Sequence, residues 1–218
     1  ILMNIKVMEN DLHTQLSKLH EGLAEKMRVD HKRDLPLQEL LTNRWERASK
    51  LGWGEGSSVY QSVVIIGEIS VGENTWVGPN VLLDGSAGLS IGSNCSISSG
   101  VQIYTHDSVR RRITDGVCGI ERAPTTIGDS CHIGSMTIIS KGVTIGHHSI
   151  VGAHSFLKSD IPPYSVAYGV PASVRGTIEI QAGSDSGFTI KRTSEETEIE
   201  QLKRQISELK VRIEEIEK

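Results

Sequence analysis

Through the middle of the chain an aliphatic residue returns every six positions. The run is Val59, Ile65, Val71, Val77 and Leu83, then Ile91, Ile97 and Ile103, then Ile127, Ile133, Ile139, Ile145, Val151 and Leu157. Gly commonly follows, as at Gly72, Gly78, Gly92, Gly128, Gly134, Gly146 and Gly152. Four positions after most of the aliphatics stands a small or β-branched residue, as at Thr75, Val81, Cys95, Val101, Cys131, Thr137, Val143, Ser149 and Ser155. A period of six fits neither an amphipathic helix nor a plain alternating strand; it fits a short strand and a turn repeated as one side of a prism. Three such sides close one coil, so the fourteen hexads predict between four and five coils. Two extra residues near 84–90 and an insertion over 104–126 interrupt the beat, and the insertion must loop outward because a packed interior has no room for it.

Other periods flank the hexads. Leu12, Leu16, Leu19 and Leu23 share one helical stripe and predict a helix over about 4–28, with a second around 36–50. Residues 1–56 therefore form a helical region, 57–176 the repeat domain, and 177–193, partly rich in Gly and Ser, a strand or linker. Over 194–218, Ile199, Leu202, Ile206, Leu209, Ile213 and Ile216 alternate by three and four, a heptad seam with Glu198–Lys203 and Arg212–Glu217 at the spacing of interhelical ion pairs. Three heptads are too short to stand alone, so this coiled-coil helix is expected only within an assembly.

Composition sharpens this picture. Aromatics are 4% of 218 residues against 22 glycines, which suits stacked aliphatic rungs better than an ordinary globular core. A net charge of -4 argues against nucleic acid as a partner. Cys95, Cys118 and Cys131 lack metal-ligand spacing and read as reduced thiols, so no metal is expected. No apolar run reaches the ~18 residues of a membrane span, and the expected location is cytoplasmic.

Register brings candidate residues together. Leu83 and Ile103 open the fifth and eighth hexads, so they lie on one side a coil apart, and Asp84 stacks near the corner that carries His106. Asp107, next in sequence, is a rival partner for that imidazole. Ser135 and Ala153, each two residues after an aliphatic, also fall on one edge a coil apart.

The hexads, the segment Gly100-Val101-Gln102-Ile103-Tyr104-Thr105-His106, the stretch 142–146 and the ending Lys158-Ser159-Asp160-Ile161-Pro162-Pro163 through Gly169-Val170-Pro171-Ala172 resemble the hexapeptide-repeat acyltransferases. The similarity covers about 57–176 and is strongest to the sugar O-acetyltransferases of the galactoside and maltose type and of surface-polysaccharide loci. It implies a left-handed parallel β-helix, a homotrimer with sites between subunits, and acetyl-CoA as co-substrate. By the same resemblance His106 is a general base that takes a saccharide hydroxyl proton during direct transfer. Asp84 or Asp107 orients it. Asn80, Asp84 and His132 are expected at the acceptor, His132 standing where many relatives carry Trp. Ser135, Ala153, Lys158 and Ser159 match coenzyme-binding positions, and Arg175 is a candidate for the nucleotide phosphates. Arg110, Arg111 and Arg112 in the outward loop are further candidates for a phosphate. Three alternatives stay open: N-acetylation of an amino sugar nucleotide, a γ-carbonic-anhydrase-like metal site built on His106, His132 and His148, and a non-catalytic scaffold.

Overall fold

The computed structural model describes residues 2–181, 187–193, 202–207 and 209–210, with side chains from residue 11 onward. The leucine stripe lies on α1 (Leu2–His31), which outruns the expected helix at both ends. It stops where Lys32 turns left-handed (φ 53°), with Arg28 and His31 in its last turn complementing the helix dipole. The single helix expected over 36–50 is instead two, α2 (Leu37–Leu40) and α3 (Arg44–Lys50). The break is local chemistry: the Asn43 side-chain oxygen accepts from the Trp45 and Glu46 N–H groups at 3.0 and 3.2 Å, capping a new start. These helices dock on the first coil through Arg47, which donates to the Tyr60 and Val63 carbonyls, and through Glu39, which accepts from the Gln61 and Ser62 N–H groups.

Beyond them the hexads form a parallel β-solenoid. The first face stacks Val59, Val77, Ile97, Ile133, Val151 and Ala167 in register. The second stacks Ile65, Leu83, Ile103, Ile139 and Leu157. The third stacks Val71, Ile91, Ile127, Ile145 and Ile161. Five coils are thus complete and Ala167 opens a sixth, one more than the hexad count predicts. Ile161 follows Leu157 by four residues rather than six, which hides its rung from a strict period. Except for Ile65, all sixteen rung residues are buried.

The remaining hexad positions have equally local causes. The short side chains four residues on are buried and bond to corner carbonyls: Thr75 Oγ1 to Gly92, Thr137 Oγ1 to Gly152, Ser149 Oγ to Pro162, and the Cys95 and Cys131 thiols to Gly128 and Gly146. A longer side chain would not fit this slot, and an apolar one would leave the carbonyl without that bond. Three residues after the aliphatic the backbone turns left-handed, as at Asn74, Asn80, Asn94, Ser130, Met136, His148, His154 and Tyr164. At Gly134 the coils approach so closely that a Cβ would lie 2.4 Å from the Ala153 nitrogen.

The C-terminal edge is closed rather than left as an open ladder. Ser165–Gly169 pairs antiparallel with Ala172–Ile180, which pairs in turn with Phe188–Arg192, so the sheet continues past residue 176 into the stretch read as strand or linker. Residues 202–207 and 209–210 are helical, and Leu202, Ile206 and Leu209 are about half exposed. Ile199, Ile213 and Ile216 of the heptad seam lie outside the described residues. No described helix is long and apolar enough to cross a membrane.

Candidate active site

The edge between the second and third faces is where the regular coil fails. Val64–Val71 and Leu82–Ile91 run through that corner as continuous strands, and the two extra residues of the second bring its backbone up to Thr105 and His106. The outward insertion leaves from the same corner. Its root is a two-rung antiparallel ribbon, His106–Asp107 with Glu121–Arg122, followed by α4 (Val109–Ile113).

Here His106 and Asp84 meet, as their register predicts. His106 Nδ1 is 2.6 Å from Asp84 Oδ2; the imidazole is 39% exposed and the carboxylate 1%. Burial would by itself raise the Asp84 pKa. Hydrogen bonds outweigh it: the Thr105 N–H donates at 2.9 Å, the Ser86 N–H at 3.0 Å, and the Ser86 hydroxyl and His106 add to them, holding the carboxyl well below its usual range. An ionised carboxylate only accepts, so Nδ1 carries a proton, and in the neutral ring the lone pair is then on Nε2. Asp107, the rival, points elsewhere: its Oδ1 accepts from the Val109 N–H at 2.7 Å and its Oδ2 is 3.9 Å from Lys141.

Ser86 is a site residue that the sequence reading missed. Its hydroxyl lies 3.3 Å from His106 Nδ1 and 3.5 Å from the Thr105 hydroxyl. The signal was the eight-residue step from Leu83 to Ile91, which had to bulge somewhere; only the structure says that it bulges onto His106.

The other expected residues divide among different parts of the prism. Asn80 is an exposed left-handed turn residue (φ 58°) on the edge between the first and second faces. Ser135 and Ala153 stack on that same edge, where the His154 N–H donates to the Ser135 carbonyl at 2.9 Å. Lys158 and Ser159 are exposed two coils above His106 on its own edge. Within one chain the Ser135 edge and the His106 edge are separated by the width of the second face, roughly 15 Å at ~3.3 Å per residue. His132 is exposed on the first face between Ser96 and Ile150, away from His106. Arg175 lies on the Ala172–Ile180 strand with its guanidinium 6.0 Å from the Tyr168 ring centre, and its buried Nε has no hydrogen-bond partner among the described residues. Of the loop arginines, Arg110 pairs with Glu121 at 3.4 Å. His106, His132 and His148 do not converge within the chain, and among the described residues no three His, Cys, Asp or Glu side chains are placed to hold a metal.

Two family descriptions match the chain: the hexapeptide repeat of succinyl-transferase over residues 68–105 and the bacterial transferase hexapeptide over 124–159. Galactoside O-acetyltransferase of Escherichia coli K12 is 35% identical over 125 residues, 48% of this chain and 62% of the relative. The protein named "Putative colanic acid biosynthesis acetyltransferase WcaF", of the same organism, is 31% identical over 109 residues, 49% of this chain and 57% of the relative. The match thus spans about three-fifths of these curated relatives. The solved structure of a galactoside acetyltransferase in complex with coenzyme A superposes with a TM-score of 0.57 at 26% identity, covering 79% of this chain and 87% of that one. In its repeat, its solenoid and its relatives the chain is similar to the hexapeptide-repeat acetyltransferases.

Proposed function

We propose that the protein is an acetyl-CoA-dependent O-acetyltransferase acting on a saccharide hydroxyl, with His106 as general base and Asp84 as the residue that holds it. The observation that carries this reading is the buried, ionised Asp84 fixing Nδ1 of a half-exposed imidazole at the root of the outward loop. Nε2 takes the hydroxyl proton as the oxygen attacks the thioester carbonyl; the tetrahedral oxyanion collapses, the C–S bond breaks, and the proton passes from Nε2 to the leaving thiolate. A backbone N–H near Ser135 suits the oxyanion. Relatives named for galactoside O-acetylation and for colanic acid biosynthesis support a sugar acceptor, and surface-polysaccharide synthesis as the setting.

The outward residues of the second and third faces support a trimer. On the third face they are Ser70, Ser90, Thr126 and Thr144, a hydroxyl row suited to water. On the second they are Val64, Leu82, Gln102, Ile138 and Phe156, an apolar row through five coils interrupted once. Val64 remains 51% exposed and Ile138 37%. Second faces packed around a threefold axis would bury this row and bring the His106 edge of one copy to the Ser135 edge of the next, uniting the two halves of the site.

Thiol release from acetyl-CoA, measured with sugars, amino sugars and nucleotide sugars, tests the reading. Acceptor-dependent release is expected, falling about 10²–10⁴-fold in His106→Ala, the share a general base contributes. Undiminished release in that variant removes His106 from the chemistry, and response to amines alone makes the transfer an N-acetylation.

A further inference from the structure

We propose that the acceptor is an anionic sugar, and that Arg122 is the residue that selects it by pairing with a carboxylate or phosphate beside the hydroxyl to be acetylated. This rests on the reading that the acceptor hydroxyl approaches His106.

The ribbon at the root of the loop sets two residue pairs face to face. His106 stands directly opposite Arg122, and Asp107 opposite Glu121. The Ala123 N–H donates to the Thr105 carbonyl at 3.0 Å, flanking the first of these pairs. His106 and Arg122 are therefore a non-hydrogen-bonded antiparallel pair, the kind with Cα atoms about 4.5 Å apart and side chains on one side of the ribbon. Asp107 and Glu121 occupy the other side.

Charge is distributed unequally between those sides. On the acidic side Glu121 is paired with Lys141 at 3.0 Å and with Arg110 at 3.4 Å, while Lys141 also approaches Asp107 at 3.9 Å. Its charges are largely met within the protein. On the His106 side the nearest carboxylate is Asp84, which is 1% exposed and committed to the imidazole and to backbone N–H groups. Arg122 is exposed and has no ion-pair partner among the described residues. A guanidinium held one side chain from the base, with the local acids spoken for, presents a planar donor fork to whatever is bound there. A neutral sugar would use little of that capacity; a uronate or sugar phosphate would use most of it.

Calorimetric binding to the full chain in the presence of coenzyme A tests this, with methyl glucoside, methyl glucuronide and glucose 6-phosphate as probes. The parent is expected to prefer at least one acidic probe to the neutral one by roughly tenfold to a hundredfold, the range of a charge-assisted hydrogen bond. The stronger of the acidic probes identifies the anion as carboxylate or phosphate. Arg122→Gln is expected to abolish that preference and Arg122→Lys to retain part of it, whereas Arg28→Gln, removing a distant exposed arginine, keeps it whole. No preference in the parent, or a preference that survives Arg122→Gln, overturns the proposal. Thiol release with the same probes separates this outcome from the transferase reading. Turnover without acid preference removes only the role of Arg122. Arg122-dependent binding of acidic probes without turnover of any acceptor removes only the transferase assignment.

Discussion

Asp84 illustrates how one residue can serve packing and chemistry through the same contacts. Its carboxylate is buried, yet the Thr105 and Ser86 N–H groups and the His106 ring satisfy it, so it stays ionised and fixes the imidazole tautomer. Asp84→Asn would keep the shape and lose the obligate acceptor. Acetyl transfer is expected to fall by about 10² or more, with coenzyme binding retained. Stability carries its own signature. Because the folded carboxyl titrates below its unfolded value, the ionised form contributes fully above about pH 4 and that contribution is lost as pH falls further. The Tm gap between parent and Asp84→Asn should therefore shrink as pH falls below about 4; a gap that grows there contradicts a lowered Asp84 pKa.

At the scale of the element, most hexads repeat one set of instructions: an aliphatic residue for the interior, a left-handed corner, and a small or β-branched side chain that in several coils bonds the corner carbonyl. Ile133 is fully buried between Ile97 and Val151. Ile133→Ala should cost about 2–5 kcal/mol in urea unfolding, since stacked coils cannot collapse into the cavity. Gly134→Ala should destabilise although it only adds a methyl group, because the added carbon meets the backbone of the next coil. If that variant unfolds with the parent, the close stacking of this edge is wrong. These requirements are local, so the period revealed them. The rung at Ile161 escaped because the corner before it is shorter, and the α2–α3 break escaped because Asn43 outcompetes helix continuation at one residue.

For the whole molecule, the distribution of apolar residues over three faces has consequences for assembly. Ile138→Asp together with Phe156→Asp should convert the proposed trimer to monomers in sedimentation velocity while leaving each solenoid folded, and transfer activity should disappear with the trimer. Persistence of the oligomer would place the interface on another face. Deleting 194–218 asks a separate question: if assembly and activity both survive, the heptad helix is an accessory to a contact made by the prism.

The sequence alone determined the solenoid, most of its inward residues and the stacking of Asp84 near the corner that carries His106, with Asp107 left as a rival. All of these follow from a strict period in which each strand's neighbour is set by counting. What the tertiary structure decided lies where counting fails. The two extra residues bring Ser86 to the imidazole, Asp107 turns away to cap Val109, and Arg122 faces His106 across a ribbon formed by residues sixteen apart. An insertion has no register of its own, and its contacts depend on where the rigid coil releases it and takes it back. The same holds for the expected coenzyme positions: sequence places Ser135 and Ala153 on one edge, but only the folded prism sets that edge a face away from His106.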